Sequence, residues 1–219
     1  MVDLDYERNR LVDSLKQRGY INSKAVEDAM RRVPREEFLP PELREEAYVD
    51  SPLPIGEGQT ISAPHMVAMM IDNLDLKPGL KVLEVGTGSG YHAAVCAEAI
   101  APDGHVFTVE RISSLAAFAE ENLKRTGYSE LVTVVIADGS KGLPEHAPYD
   151  RIFVAAASPD VPKPLTDQLA ESGKLLIPVG GRWYQDLVRV TRRRKRLDKE
   201  NLGGCVFVPL IGEYGFRSD

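Results

Sequence analysis

One run constrains this chain more than any other. Glu84-Val85-Gly86-Thr87-Gly88-Ser89-Gly90 continues out of five residues that read as a strand, 81–85, and leads into ten that read as a helix, 91–100. Glycines at 86, 88 and 90 let the backbone turn tightly and let a ligand approach the helix N-terminus with no side chain in the way. A strand, a glycine turn and a helix in that order form half of a parallel crossover unit, and the rest of the chain repeats the alternation. Residues 105–110, 132–137, 151–155 and 174–179 are short apolar runs that read as strands, and 113–126 and 164–171 carry helical spacing between them. The fold expected is α/β, a doubly wound and mostly parallel sheet. With 219 residues, 43% of them hydrophobic, the chain can bury the core of a single domain.

The ends depart from the alternation. Leu4, Leu11, Val12 and Leu15, then Val26, Ala29, Met30 and Val33, mark two N-terminal helices, the second capped by Asn22 or Ser23. Residues 34–64 hold six prolines and read mostly as a loop laid over something larger. Val67, Met70, Ile71 and Leu74 give another helix, starting at Ala63 with Ser62 as N-cap and Pro64 in its first turn. At the other end 186–191 and 205–210 are β-like and joined by a polar run without a helical stripe, which predicts an antiparallel pair added to the sheet edge. The expected division is therefore an N-terminal helical and covering segment over 1–75, an α/β core over 76–180 and a β extension over 181–219, all one domain.

A net charge of −6 argues against a general binder of nucleic acid or anionic membrane. The first twenty residues carry charges throughout, and no apolar stretch is long enough to span a bilayer, so a cytoplasmic protein is expected. Cys96 and Cys205 stand far apart in apolar surroundings and read as buried free thiols; no metal site is expected.

Glu110 closes the strand after the glycine run, 24 residues beyond Gly86. Its two oxygens can accept hydrogen bonds from both hydroxyls of a ribose, which points to a nucleoside-bearing cofactor. The Gly-x-Gly-x-Gly spacing favours S-adenosyl-L-methionine, because the dinucleotide fingerprint is Gly-x-Gly-x-x-Gly or Ala. Ala93 and Ala94 keep the dinucleotide reading open. Asp138-Gly139, at the end of the third strand, falls on the same rim and suits an adenine edge or a plain turn equally well.

Three stretches together resemble the protein L-isoaspartate O-methyltransferase family: 47–66, with Gly58-Gln59-Thr60-Ile61-Ser62 inside it; 82–91 around the glycine run; and 138–150 running on to Pro178-Val179-Gly180. The likeness extends from Arg35 to Leu210. The glycine stretch is common to many methyltransferases, whereas Gly-Gln-Thr-Ile-Ser is far more specific. The resemblance implies a Rossmann-like methyltransferase sheet, S-adenosyl-L-methionine as cofactor, and transfer of its methyl group to the free α-carboxylate of L-isoaspartyl residues in damaged proteins, which begins repair through a succinimide. It implies a monomer whose partners are isoaspartyl proteins and peptides, with no nucleic acid and no membrane.

By the same resemblance Ser62 matches the active-site serine. Thr60, Ile61, Ala63 and His65 match positions that touch the cofactor or line the acceptor site, and Glu84, Gly86, Thr87, Gly88, Ser89, Gly90, Glu110, Arg111, Asp138 and Gly139 match the cofactor positions. Ala63 stands where many members have glutamine, and Ala155 where many have threonine.

Several residues have plainer readings. A helix cap alone explains a serine at 62. His65, in the first turn of a helix, suits hydrogen bonding or packing as well as proton transfer. The run Arg192-Arg193-Arg194-Lys195-Arg196 reads as a solvated turn between the last two strands, and Trp183 and Tyr184 as ordinary packing in preference to a substrate groove. Two other functions remain: a related methyltransferase for a small molecule or nucleic acid, which has no need of the Gly-Gln-Thr-Ile-Ser stretch, and a non-catalytic nucleoside-binding module.

Overall fold

In a computed structural model, described for residues 2–194 and 196–217, five parallel strands make up one side of a seven-stranded sheet, from one edge inward. Helices α1 (Leu4–Gln17) and α2 (Lys24–Arg32) open the chain, with Ser23 capping the second through Val26 N. The proline-rich segment is more structured than the sequence suggests. It makes two 3₁₀ turns and then a small antiparallel hairpin, β1 (Leu53–Gly56) with β2 (Gln59–Ile61), before α3 (Pro64–Asn73). The core then runs β3 (Lys81–Val85), α4 (Tyr91–Ile100), β4 (His105–Glu110), α5 (Ser113–Thr126), β5 (Val132–Ile136), β6 (Tyr149–Val154), α6 (Lys163–Asp167) and β7 (Leu169–Gly180). Two antiparallel strands, β8 (Gln185–Arg193) and β9 (Arg196–Cys205), finish the sheet in the order β5-β4-β3-β6-β7-β8-β9.

That order explains where a ligand can sit. The chain steps outward from β3 to β4 to β5 and then returns to the other side of β3 for β6, so strand order reverses at β3. In open α/β sheets the crevice beyond the carboxyl ends of the strands at such a reversal is the binding position. Side chains alternate across the sheet as the pleat requires. Leu83, Val85, Ile152, Val154, Leu175 and Ile177 bury on one face with Leu165 of α6, while Val82, Phe153 and Leu176 bury on the other with the N-terminal helices, α3 and α4.

Four expectations need correction. The helix over 164–171 is only Lys163–Asp167, because Leu169 already pairs with Tyr149 in β7 and the sheet claims the backbone. The last strand is Arg196–Cys205, not 205–210. As an edge strand it is largely exposed, and its charges pair across to β8, Arg189 with Glu200 and Arg193 with Asp198, so no apolar alternation marks it. The basic run does lie at the hairpin between the two strands, but Arg192 is no solvated residue: its guanidinium donates to the carbonyls of Thr166, Asp167 and Leu169. Lys195 lies outside the described residues. Finally, Trp183 and Tyr184 are not packed away but 89% and 63% exposed.

Candidate functional site

The crevice beyond β3 and β4 is a cleft open to solvent. Its floor is the glycine run. Gly88 has φ +55, and a Cβ there would sit 3.3 Å from Ile55 of the β1–β2 hairpin; Gly90 has φ +87 and caps α4. Both are backbone conformations that glycine adopts without cost and branched residues do not. Gly86, Thr87, Gly88 and Ser89 line the cleft, and Gly90 lies just behind, against Leu123 and Ala119 of α5.

Glu110 braces this loop. Oε2 accepts from Gly88 N at 3.1 Å, and Oε1 accepts from Arg111 N at 2.9 Å and Ile112 N at 3.0 Å. Glu110 and Arg111 both line the cleft, so the carboxylate keeps spare lone pairs toward a ligand while holding the strand ends in place. Glu84 is fully buried on β3. Its Oε2 accepts from Thr108 Oγ1 at 2.6 Å, and Thr108 is in turn 2.7 Å from the Thr87 hydroxyl. Its Oε1 has no partner, yet Glu84 lines the cleft. A buried unpaired carboxylate oxygen is costly, and burial, reinforced by the Glu110 charge and opposed by Thr108, raises this carboxyl well above the ordinary range. A cationic or N–H-bearing ligand group placed there would supply the missing partner.

The opposite wall comes from the covering segment. Gln59, Thr60, Ile61 and Ser62 run along it, and Ala155 and Ala156, just after β6, close the far side with Val208, Pro209, Leu210 and Ile211. The expectation that Ser62 caps α3 is wrong. The N-cap is Ala63, without a side-chain hydrogen bond, because the residue before Pro64 is pushed to extended backbone (φ −55, ψ 143) and the helix starts at the proline. The half-buried Ser62 hydroxyl is thereby left to the cleft.

Other residues singled out in the sequence lie beside the cleft. Ala63 is buried behind the wall. His65 turns outward, with Nδ1 2.8 Å and its backbone N 2.9 Å from Asp50 Oδ1. Asp138 accepts from Ser140 N, Ser140 Oγ and Glu213 N, pinning the C-terminal segment, whereas Gly139 lines the cleft, where a Cβ would press on Val85. The sequence reading missed the walls: Ile112 and Leu115 from the start of α5, Tyr91 and His92 from the first turn of α4, and Val208–Ile211. Apolar residues at such positions carry no signal of their own. Among the described residues no group of three or more His, Cys, Asp or Glu side chains gathers to hold a metal, and no helix is long and apolar enough to cross a membrane.

A parallel sheet of this order with an antiparallel extension, a glycine loop after the central strand and an acid closing the next is that of a class I S-adenosyl-L-methionine-dependent methyltransferase. The protein-L-isoaspartate(D-aspartate) O-methyltransferase family profile matches residues 6–215, and the chain belongs to that family. It is 59% identical over 218 residues to a protein-L-isoaspartate O-methyltransferase of Hyperthermus butylicus, covering 96% of this chain and 90% of the relative. It is 60% identical over 211 residues to one of Methanopyrus kandleri, covering 96% and 93%. Among solved structures it superposes on a protein-L-isoaspartate O-methyltransferase with TM-score 0.85 at 31% identity, covering 95% of this chain and 67% of the other. A Plasmodium falciparum structure described as this enzyme in complex with S-adenosyl-L-homocysteine matches with TM-score 0.81 at 31% identity, covering 93% and 98%.

Proposed function

We propose that the chain transfers a methyl group from S-adenosyl-L-methionine to the free α-carboxylate of L-isoaspartyl residues in damaged proteins. The observation that carries this reading is the meeting, in one cleft, of the glycine loop braced by Glu110 and the Gly-Gln-Thr-Ile-Ser segment that ends at Ser62. The residues present fit the cofactor: Glu84 offers an unpaired buried carboxylate oxygen, the Glu110 carboxylate faces the cleft, and the floor is free of side chains at Gly86 and Gly88. When bound, S-adenosyl-L-methionine supplies an electrophilic methyl group on a positively charged sulfur. We assign Glu84, the 86–90 loop, Glu110, Arg111 and Gly139 to holding it, and Thr60, Ile61 and Ser62 to the acceptor side.

The acceptor needs little activation, since a carboxyl of reference pKa about 3.9 is already ionised at neutral pH. Charge is lost as the anionic oxygen meets the cationic donor, so a clamping cation would favour the ground state and slow transfer. Ser62 is a neutral donor that orients the oxygen without that penalty. Rate enhancement then comes chiefly from alignment, an effect of up to ~7–11 kcal/mol in favourable systems. The product ester is attacked by the next backbone nitrogen, expelling methanol and closing a succinimide, and water opens that ring partly to normal aspartate.

We further propose that the chain acts as a monomer. Cys96 and Cys205 are buried free thiols, in keeping with a reducing, cytoplasmic setting, and the charge of −6 opposes nucleic acid and anionic bilayers as partners. Paired isoaspartyl and aspartyl peptides of one sequence test the function. Labelled methyl should enter the first and spare the second, because the displaced carboxylate misses alignment and an ångström of misplacement costs on the order of a hundredfold. Equal labelling of both, or of neither, sinks the assignment.

A further inference from the structure

The turn between β7 and β8 carries an apolar surface that the reaction described above leaves unused. Trp183 is 89% exposed and Tyr184 63%, and Val206, just past the end of β9, is 71% exposed. They lie together: Gln185 pairs with Cys205 in the β8–β9 ladder, and that register carried one step further sets Tyr184 at the level of Val206. The Tyr184 ring also lies over Gly204, where a Cβ would run into its hydroxyl. Single exposed apolar residues are ordinary, and the others on this molecule, such as Tyr6 on α1 and Ile136 on β5, are scattered. Three on adjoining turns are a patch.

The patch follows the carboxyl end of β7, which is parallel to β6, and so lies on the same rim of the sheet as the cleft wall after β6. Ala156 lines the acceptor wall, and two residues on Ser158 accepts a hydrogen bond at 3.0 Å from Gly180 N, where the Trp183 turn begins. Val206 is two residues from Val208, which lines the same wall, and Ala157 N donates to Val208 O at 2.7 Å. The turn is held in place as well: the Arg182 guanidinium stacks on Phe216, and the Gln185 amide donates to Gly181 O at 2.6 Å and accepts from Phe207 N at 2.9 Å. A fixed aromatic shelf loses little entropy when covered.

We propose that Trp183 and Val206 form a docking shelf for apolar side chains that flank the isoaspartyl residue in an extended segment of the substrate protein. This rests on the function proposed above, which places the reacting carboxylate in the cleft and the rest of the acceptor chain outside it. An extended segment leaving by the Ala156 wall runs along the rim on which the Trp183 turn lies. Damaged segments that have come unfolded expose apolar side chains, so the shelf favours them over polar flanks.

The test compares two isoaspartyl peptides of equal length, one with leucine and phenylalanine on both flanks and one with serine and glycine, on wild type, Trp183→Ala and Trp183→Phe. Wild type should prefer the apolar peptide. Trp183→Ala should raise KM for that peptide about five- to tenfold with kcat little changed, leave the polar peptide within about twofold, and keep S-adenosyl-L-homocysteine affinity by calorimetry. Trp183→Phe should retain most of the preference. Transfer that ignores both the flanks and Trp183 overturns the shelf and leaves the proposed function standing. A concentration-dependent dimer in sedimentation that Trp183→Ala abolishes, with peptide kinetics unchanged, gives the patch to a second copy and also overturns it. No transfer by wild type to either peptide overturns the proposed function, and the shelf falls with it.

Discussion

Glu110 accepts the backbone N–H of Gly88 at 3.1 Å, so the acid that ends β4 holds the glycine loop that follows β3. The sequence suggests a carboxylate given wholly to a ribose; the structure adds three backbone donors from Gly88, Arg111 and Ile112. Loop geometry and the proposed cofactor contact thus meet in one side chain. Glu110→Ala should therefore weaken S-adenosyl-L-homocysteine by about 1–3 kcal/mol and also lower the unfolding midpoint, since hydrogen bonds to a charged acceptor are lost in both states. Calorimetry and thermal melts separate the outcomes. A lost midpoint with intact affinity leaves Glu110 purely structural, and lost affinity with an unchanged midpoint means that the bracing bonds contribute nothing.

Ser62→Ala should leave stability within about 0.5 kcal/mol, because α3 takes its cap from Ala63 and no capping bond is removed. Methyl transfer to an isoaspartyl peptide should fall far more than cofactor affinity, as expected of a group that aligns the acceptor. A loss of 0.5–2 kcal/mol with turnover kept is the signature of a cap, and would remove Ser62 from the reaction.

His92 predicts how the protein meets acid. Its ring is 7% exposed, packs at a tilt against Phe153 with centroids 4.4 Å apart, and finds no partner for either nitrogen. Burial, with the Arg35 charge adding to it, lowers its pKa to about 3. The unfolded chain takes up this proton near pH 6.5 while the native protein does not, so stability falls as pH drops below about 6.5 and goes on falling toward the folded value. At pH 4.5 the linkage is on the order of 2–3 kcal/mol. His92→Leu should flatten that part of the acid slope, read as denaturant midpoints at pH 7 and 4.5. Parallel slopes in the two proteins would falsify the assignment.

What could be read without coordinates was whatever leaves a periodic or steric trace. Gly86, Gly88 and Gly90 stand out because only glycine suits a turn of this kind, and β3, β4 and α4 because buried elements need apolar runs. The readings that failed depended on partners distant in sequence. Leu169 becomes strand because Tyr149 is there to pair with it. β9 hides because an edge strand facing water has no apolar face, and the bond from Glu213 N to Asp138, 75 residues apart, leaves no local trace. Ser62 as a cap failed on a local rule, the backbone demanded before Pro64, that the sequence did contain.

Glu84 gives a prediction of opposite sign to His92. It is fully buried, with Thr108 Oγ1 at 2.6 Å on one oxygen and nothing on the other, and burial raises its carboxyl well above the usual range. The unfolded chain loses this proton near pH 4.3 while the cofactor-free native protein keeps it, so native stability falls as pH rises from about 4.3 through the folded value. A cationic group brought to the unpaired oxygen favours the ionised form. Binding S-adenosyl-L-homocysteine, whose amino-acid end carries an ammonium, should then expel a proton from Glu84 and tighten with pH across the same window. Calorimetry in two buffers of different ionisation enthalpy reads the proton directly, and Glu84→Gln should bind more weakly, release none and lose the pH slope. Equal proton release by wild type and Glu84→Gln would assign the proton to another group and leave Glu84 a buried spectator of the cofactor.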